Sequence, residues 1–290
     1  MKKRSLLCLF IFIIYFSCQN TKQILNSNKS QTSIRFIRQA TFILTINSKR
    51  LLVDPVLSKK GELEPIPFSN NNRNPQNELP ISTDEIINSS DAILITHYHP
   101  DHFDIASEKL IPKDKKIFCQ PYDLKMILSK GFTNVKSIDK ETFWGDIKIN
   151  RFEVHHHEGA TGTPPFGESS SFSISNKNKS IFITGDAILD SYLKNALLNI
   201  SPDFIVANTG ECSFSQVNPV LSPGITMTLT KEELITIAKE HQNAVIIPMH
   251  MDAINHCSLS KESLKEHVKF QVKSIKSRFQ IPFEGETIKL

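Results

Sequence analysis

The sequence predicts an α/β domain in which two sheets pack face to face. Three observations point that way. Short apolar runs such as Ala92-Ile-Leu-Ile95, Ser180-Ile-Phe-Ile183 and Asp203-Phe-Ile-Val-Ala207 read as strands buried in a core. Helix-start signals lie between such runs. About 270 residues remain after an N-terminal leader, more than a common domain but suited to one two-layered sheet sandwich.

Met1-Lys-Lys-Arg4 leads into the apolar stretch 6–16 and then Ser17-Cys18. Eleven apolar residues are too few to span a bilayer as a helix and fit a signal-peptide core. A small residue before cysteine resembles a bacterial lipoprotein cleavage site. Residues 1–17 are therefore expected to be a signal peptide and Cys18 the lipidated residue. Residues 18–33, rich in Asn, Ser, Lys and Gln, would tether the domain 34–290 to a membrane of the cell envelope. Ordinary secretion or a periplasmic location is the alternative.

Residues 59–80 hold no convincing element and read as a binding loop or lid. Ser82-Thr-Asp-Glu85 has capping-box spacing and should start a short helix before the strand at Ala92–Ile95. A second helix is expected over 104–110 and a third over 124–128. Strands follow over 116–119, 147–154, 171–174, 181–184 and 203–207. Residues 208–226 form another loop, Thr230-Lys-Glu-Glu233 caps a helix to about residue 241, and Ala244-Val-Ile-Ile-Pro248 is a strand. Residues 260–278 are expected to form one long amphipathic helix.

The chemistry concentrates in Thr96-His-Tyr-His-Pro-Asp-His-Phe-Asp104. His97, His99, Asp101 and His102 place three imidazoles and a carboxylate in one turn, the ligand types that zinc and similar ions select. Ligands so close cannot easily all serve one tetrahedral ion, so the spacing suggests two neighbouring metals. Among His155, His156 and His157, strand alternation favours His156, which would share a face with Phe152 and Val154; His155 is the main rival. Gly185-Asp186 ends a strand, and an acidic residue there can bridge two cations while the glycine allows a sharp turn. His250 follows the strand at 244–248.

Taken in series, these pieces resemble the metallo-β-lactamase fold hydrolases across nearly all of residues 33–290. The likeness is strongest to the ascorbate-phosphate lactonase-like and N-acyl phosphatidylethanolamine phospholipase D-like branch. Ile34-Arg-Phe-Ile-Arg-Gln-Ala-Thr-Phe-Ile and Leu51-Leu-Val-Asp-Pro-Val are similar to its opening strands, and His250-Met-Asp-Ala-Ile-Asn-His256 to its closing motif. The resemblance implies a four-layer αββα sandwich. It implies one metal on His97, His99 and His156, a second on Asp101, His102 and His250, and Asp186 bridging both. Zinc is the expected ion, and manganese or iron would fit the same donors. Gln39 stands where many relatives carry histidine, which puts a metal-proximal role there in doubt.

A water bridging two such ions is a hydroxide source at neutral pH. The expected activity is hydrolysis of a lactone, ester or phosphodiester in a small-molecule or lipid-derived substrate. Asp101 could orient the hydroxide, and His256 could contact substrate or protonate the leaving group. Asp54 at a strand end reads as a turn residue ahead of any role beside the metals. Backbone N–H groups of residues 159–167 could approach an anionic group. The alternative is a non-catalytic metal- or ligand-binding envelope protein on the same fold.

Losing Lys2, Lys3 and Arg4 with the leader brings 34 basic residues near balance with 30 acidic ones, which gives no electrostatic case for nucleic acid. Cys119, Cys212 and Cys257 remain in the mature domain and suggest no disulfide framework. Cys119 and Cys257 read as small core residues.

Overall fold

The computed structural model describes residues 32–157 and 167–290. The leader, Cys18 and residues 158–166 of the glycine-bearing segment lie outside the described residues.

Strands β1 (Ser33–Arg38), β2 (Thr41–Ile46) and β3 (Lys49–Val53) form an antiparallel meander. Beside it run β4 (Ala92–Ile95), β5 (Ile117–Cys119) and β6 (Val135–Ser137), parallel to β3. The second sheet contains β7 (Glu141–Trp144), β8 (Ile147–Val154), β9 (Ser169–Ser175), β10 (Ser180–Ile183), β11 (Phe204–Asn208) and β12 (Val245–Met249). Its last three strands are parallel. β13 (Thr287–Lys289) returns to pair with β1 and completes a seven-stranded sheet opposite a six-stranded one.

Strand alternation explains why these runs are apolar throughout. Leu51, Val53 and Leu94 face the interior between the sheets, where they meet Ile181, Ile183 and Val206. Leu52, Ile93 and Ile95 point outward, under α1 (Thr83–Asn88) and α3 (Leu124–Ser129). Phe182, Ile205 and Ile246 do the same beneath α4 (Ser191–Ile200), α5 (Lys231–Glu240) and α6 (Lys261–Lys269). Both faces of each sheet are covered, which gives the expected four-layer αββα sandwich.

The helix starts follow their caps. The Ser82 hydroxyl accepts the Glu85 N–H at 3.1 Å, and Asp104 caps α2 (Ile105–Leu110) through the Ser107 N–H at 2.8 Å. Thr230 and Glu233 make a complete capping box on α5.

The expected long helix over 260–278 is corrected. It breaks at Phe270-Gln271-Val272 into α6 and the short α7 (Lys273–Lys276). The break lets Arg278 donate to the carbonyls of His241 at 3.0 Å and Ala244 at 2.8 Å, beyond the end of α5. The chain then runs parallel to β12, with the Ile246 and Gln280 N–H groups bonded across. A continuous helix would leave those groups without partners.

Candidate metal centre

Every candidate donor leaves the sandwich at one end. β1, β3 and β4 run the same way, and the turns after them carry Gln39, Asp54 and the segment from His97 to His102. In the opposite sheet β8, β10, β11 and β12 also share one direction. Their ends deliver His156, Asp186, Asn208 and His250. Strands fixed on both faces therefore position the donors from two sides.

The donors form two groups. His97, His99 and His156 bring one ligand atom each within 4.8 Å of one another, and so do Asp101, His102, Asp186 and His250. Asp186 reaches both groups. Its Oδ2 lies 3.3 Å from His102 Nε2, 3.7 Å from His156 Nε2 and 3.9 Å from His97 Nε2. Its Oδ1 lies 3.6 Å from His250 Nε2. All seven residues expected as ligands are thus brought together.

The imidazoles are oriented by their other nitrogen. The Asp54 carboxylate accepts the Thr96 N–H and hydroxyl, each at 2.7 Å, and lies 2.9 Å from His102 Nδ1. His156 Nδ1 donates to the Met227 carbonyl at 2.8 Å. Each ring is thereby turned so that Nε2 faces the centre, the arrangement that outer hydrogen bonds impose on metal-binding histidines. Asp54 is more than the turn residue expected: it orients His102. Asn208, not anticipated from sequence, donates to Asp186 Oδ1 at 2.7 Å.

His156 reaches the centre by a different route from the one its alternation suggests. Phe152 and Val154 pack on the helix side of the sheet, and β8 ends at Val154. The turn beyond the strand carries His156 inward. His155 turns away, its Nδ1 2.6 Å from Asp190 Oδ2 and its ring against Tyr192. Gly185 adopts φ +57°, and a Cβ there would come within 2.6 Å of the Ser170 carbonyl, so this turn needs glycine.

The donor set fits divalent metal ions. His97 Nε2 is buried without a hydrogen-bond partner. His102 Nε2 and His250 Nε2 face each other at 3.1 Å, both shared with carboxylate oxygens. Burial and the neighbouring imidazoles hold His97 well below the ordinary histidine pKa, leaving its lone pair available. Burial alone would raise Asp101 and Asp186. The surrounding histidines overcome it and hold both carboxyls well below the usual range, as ionised donors.

A cavity of about 260 Å³ opens onto His99, Asp101, His156, Asp186 and His256, and its walls are Ile66, Pro67, Phe68, Pro100, Phe214 and Met227. The two loops expected to shape a pocket do so. Phe68 and Phe214 meet edge to face with centroids 5.8 Å apart. Asn255 pins the first loop, accepting the Ile66 N–H at 2.9 Å and donating to the Asn70 carbonyl at 2.7 Å.

The second loop is pinned by a Cys212–Cys257 disulfide, which corrects the expectation of unpaired cysteines. The Ser213 N–H donates to the His256 carbonyl at 2.9 Å beside it. Gly210 lets the strands approach, since a Cβ there would lie 2.3 Å from the His250 carbonyl oxygen. Cys119 remains a buried core thiol, as expected.

The beta-lactamase superfamily domain model matches residues 33–250. The UPF0173 protein YddR of Bacillus subtilis (strain 168) is 30% identical over 259 residues, covering 88% of this chain and 98% of that protein. Among solved structures, a possible metal-dependent hydrolase from Veillonella parvula DSM 2008 superposes with a TM-score of 0.82 at 27% identity, covering 90% of this chain and 100% of its own. The isothiocyanate hydrolase from Delia radicum gut bacteria gives 0.80 at 28% identity, covering 89% and 99%.

Proposed function

The chain belongs to the beta-lactamase superfamily, and from that premise we propose that it is a metal-dependent hydrolase of small, uncharged substrates with an electrophilic carbon. The observation that carries this reading is the cavity, whose apolar walls end on the carboxylates and imidazoles of both donor groups. Among the described residues no lysine or arginine lines it, so the charge of a phosphodiester would fall to the metals alone, while the apolar walls favour an uncharged substrate. Among carbon electrophiles an isothiocyanate comes first, supported by the 28% identical hydrolase of such compounds. A lactone or ester comes second.

His97, His99 and His156 would hold one divalent ion, and Asp101, His102 and His250 the other, with Asp186 between them. Zinc is the expected ion, and manganese or iron suits the same donors. Bound there, such ions would lower the pKa of water towards neutrality and polarise a substrate heteroatom. Asp101, ionised and at the cavity wall, would orient the attacking water, whose protons end on the substrate nitrogen. With an isothiocyanate a carbon–oxygen bond forms, the carbon–nitrogen bond breaks, and protons pass to nitrogen. The products are an amine and carbonyl sulfide. Burial pushes His256 down to about 4, so at neutral pH it offers a substrate heteroatom a hydrogen bond from a neutral ring. Phe68, Phe214 and Met227 exclude bulk water.

The same proposal places the enzyme in the cell envelope, anchored through lipidated Cys18. It rests on the apolar stretch 6–16 before Ser17-Cys18, and a cystine fits an oxidising compartment.

Metal content and turnover test the proposal on protein purified without chelator. About two equivalents of metal per chain, lost together with isothiocyanate or lactone hydrolysis on chelation, are expected. Faster hydrolysis of phosphodiesters would overturn the substrate reading. Absence of metal, with no turnover after adding zinc, manganese or iron, would leave a non-catalytic binding protein on the same fold.

A further inference from the structure

Gln39 is a polar side chain at the centre to which neither the ligand set nor the hydrogen bonds behind it give a role. It is buried, and it adopts φ +57°, a left-handed backbone that a non-glycine residue holds only when its surroundings impose it. Its surroundings are the centre itself. The Gln39 carbonyl accepts the His250 N–H at 2.9 Å, and His250 is also left-handed, at φ +67°. The two residues thus lock each other with both side chains directed at one point.

At that point the Gln39 amide nitrogen stands 2.8 Å from His250 Nε2, while its Oε1 is buried without a hydrogen-bond partner. His102 Nε2 lies 3.1 Å from the same His250 nitrogen, and Asp101 Oδ2 3.5 Å from it. An NH2 group aimed there competes with a cation for the His250 lone pair. Rotating the amide by half a turn exchanges two atoms of nearly equal size and brings the oxygen to the cation instead.

We propose that Gln39 is a ligand of the second ion through Oε1, beside Asp101, His102, Asp186 and His250. This rests on the binuclear reading above. The Gln39 amide and His102 Nε2 stand 2.8 and 3.1 Å from His250 Nε2, and the Asp101 and Asp186 oxygens 3.5 and 3.6 Å from it, so the amide is one of the donors that converge on this point. The second position then offers three oxygens and two nitrogens, while the first offers three imidazoles and one shared carboxylate. Carbonyl and carboxylate oxygens suit manganese, and imidazole suits zinc, so the two positions differ in preference.

The test is stepwise metal titration of the chelator-stripped full chain, following manganese by its electron paramagnetic resonance and zinc by a competing indicator. Gln39→Met keeps the size of the side chain and removes the oxygen. It should weaken manganese at one position at least about tenfold, with zinc at the other unchanged. Gln39→Glu keeps an oxygen donor, adds charge, and should bind at least as tightly as wild type. Unchanged zinc at the first position shows that a variant is folded. Two metals bound by Gln39→Met with wild-type affinities would overturn the proposal and leave the binuclear reading standing. Fewer than two metals in the wild type would overturn the binuclear reading itself.

Discussion

His97, His102, Asp186 and His250 leave the ends of β4, β10 and β12, whereas Phe68 and Phe214 sit on loops without regular structure. The strands are buried on both faces, and candidate ligands are held by further bonds, Asp54 behind His102, the Met227 carbonyl behind His156 and Asn208 behind Asp186. The loops belong to neither sheet and are tied instead to one another and to the turn after β12, the Phe68 carbonyl accepting the Ser215 and Gln216 N–H groups, with Asn255 holding one loop and the cystine the other. The difference separates two tasks. Metal ligands need fixed geometry, which a rigid scaffold supplies, while a pocket wall needs shape that can vary with substrate.

Breaking the ligand side should give the largest effect. Asp186→Ala removes the group shared by both donor sets and is expected to lower turnover by roughly 10³-fold or more. Metal content should fall below two per chain while unfolding stays cooperative. Asp186→Asn, which preserves shape, should show the same loss. Both metals and full activity in either variant would sink the bridging assignment.

Breaking the pocket side should act on stability first. The cystine joins positions 45 residues apart, and replacing Cys212 and Cys257 by serine is expected to lower unfolding free energy by about 2–4 kcal/mol. Metal affinity should fall less than stability, because the cystine meets the donors only from behind: both sulfurs lie 3.5 Å from His250 Nδ1, and the Cys212 carbonyl accepts the N–H of Met227, whose own carbonyl holds His156. Equal losses in metal affinity and stability would show that the two regions are not separable. Denaturant unfolding and metal titration on one sample decide between these outcomes.

How much could be read in advance follows the same division. Four of the seven candidate ligands lie from His97 to His102, so a single turn displayed most of the donor cluster, and Gly185-Asp186 showed a residue type with its backbone requirement. His156 joins the donor cluster although its strand ends two residues earlier, since the turn rather than the pleat carries it there. The groups that orient ligands were not legible. Asn208, Thr96 and the Met227 carbonyl act through pairs distant in sequence, and no local pattern marks them. The cystine was hidden likewise, because two lone cysteines 45 residues apart reveal nothing until the loops that bear them meet. Helix periodicity failed over 260–278 because the pull on Arg278 comes from α5 and β12.

Asp123 offers the finest test of the rigid side. Its buried carboxylate accepts the Tyr98 N–H at 2.9 Å and the Gln120 amide at 2.8 Å, and so holds the turn between His97 and His99. Burial outweighs those bonds and pushes its pKa up to about 6, against an ordinary 3.8. The folded-state value lies above the unfolded one, so the ionised form carries a penalty at neutral pH that fades as pH falls through 6 towards 4. That penalty is on the order of 1–3 kcal/mol. Asp101 and Asp186 are held well below the usual range, so what they contribute is lost only at lower pH. The stability of wild type relative to Asp123→Asn should therefore rise between pH 7 and pH 4, as read by denaturant unfolding across that window. A flat difference would mean that the Tyr98 and Gln120 bonds offset burial in full, and that the turn bearing the first ligands is held without strain.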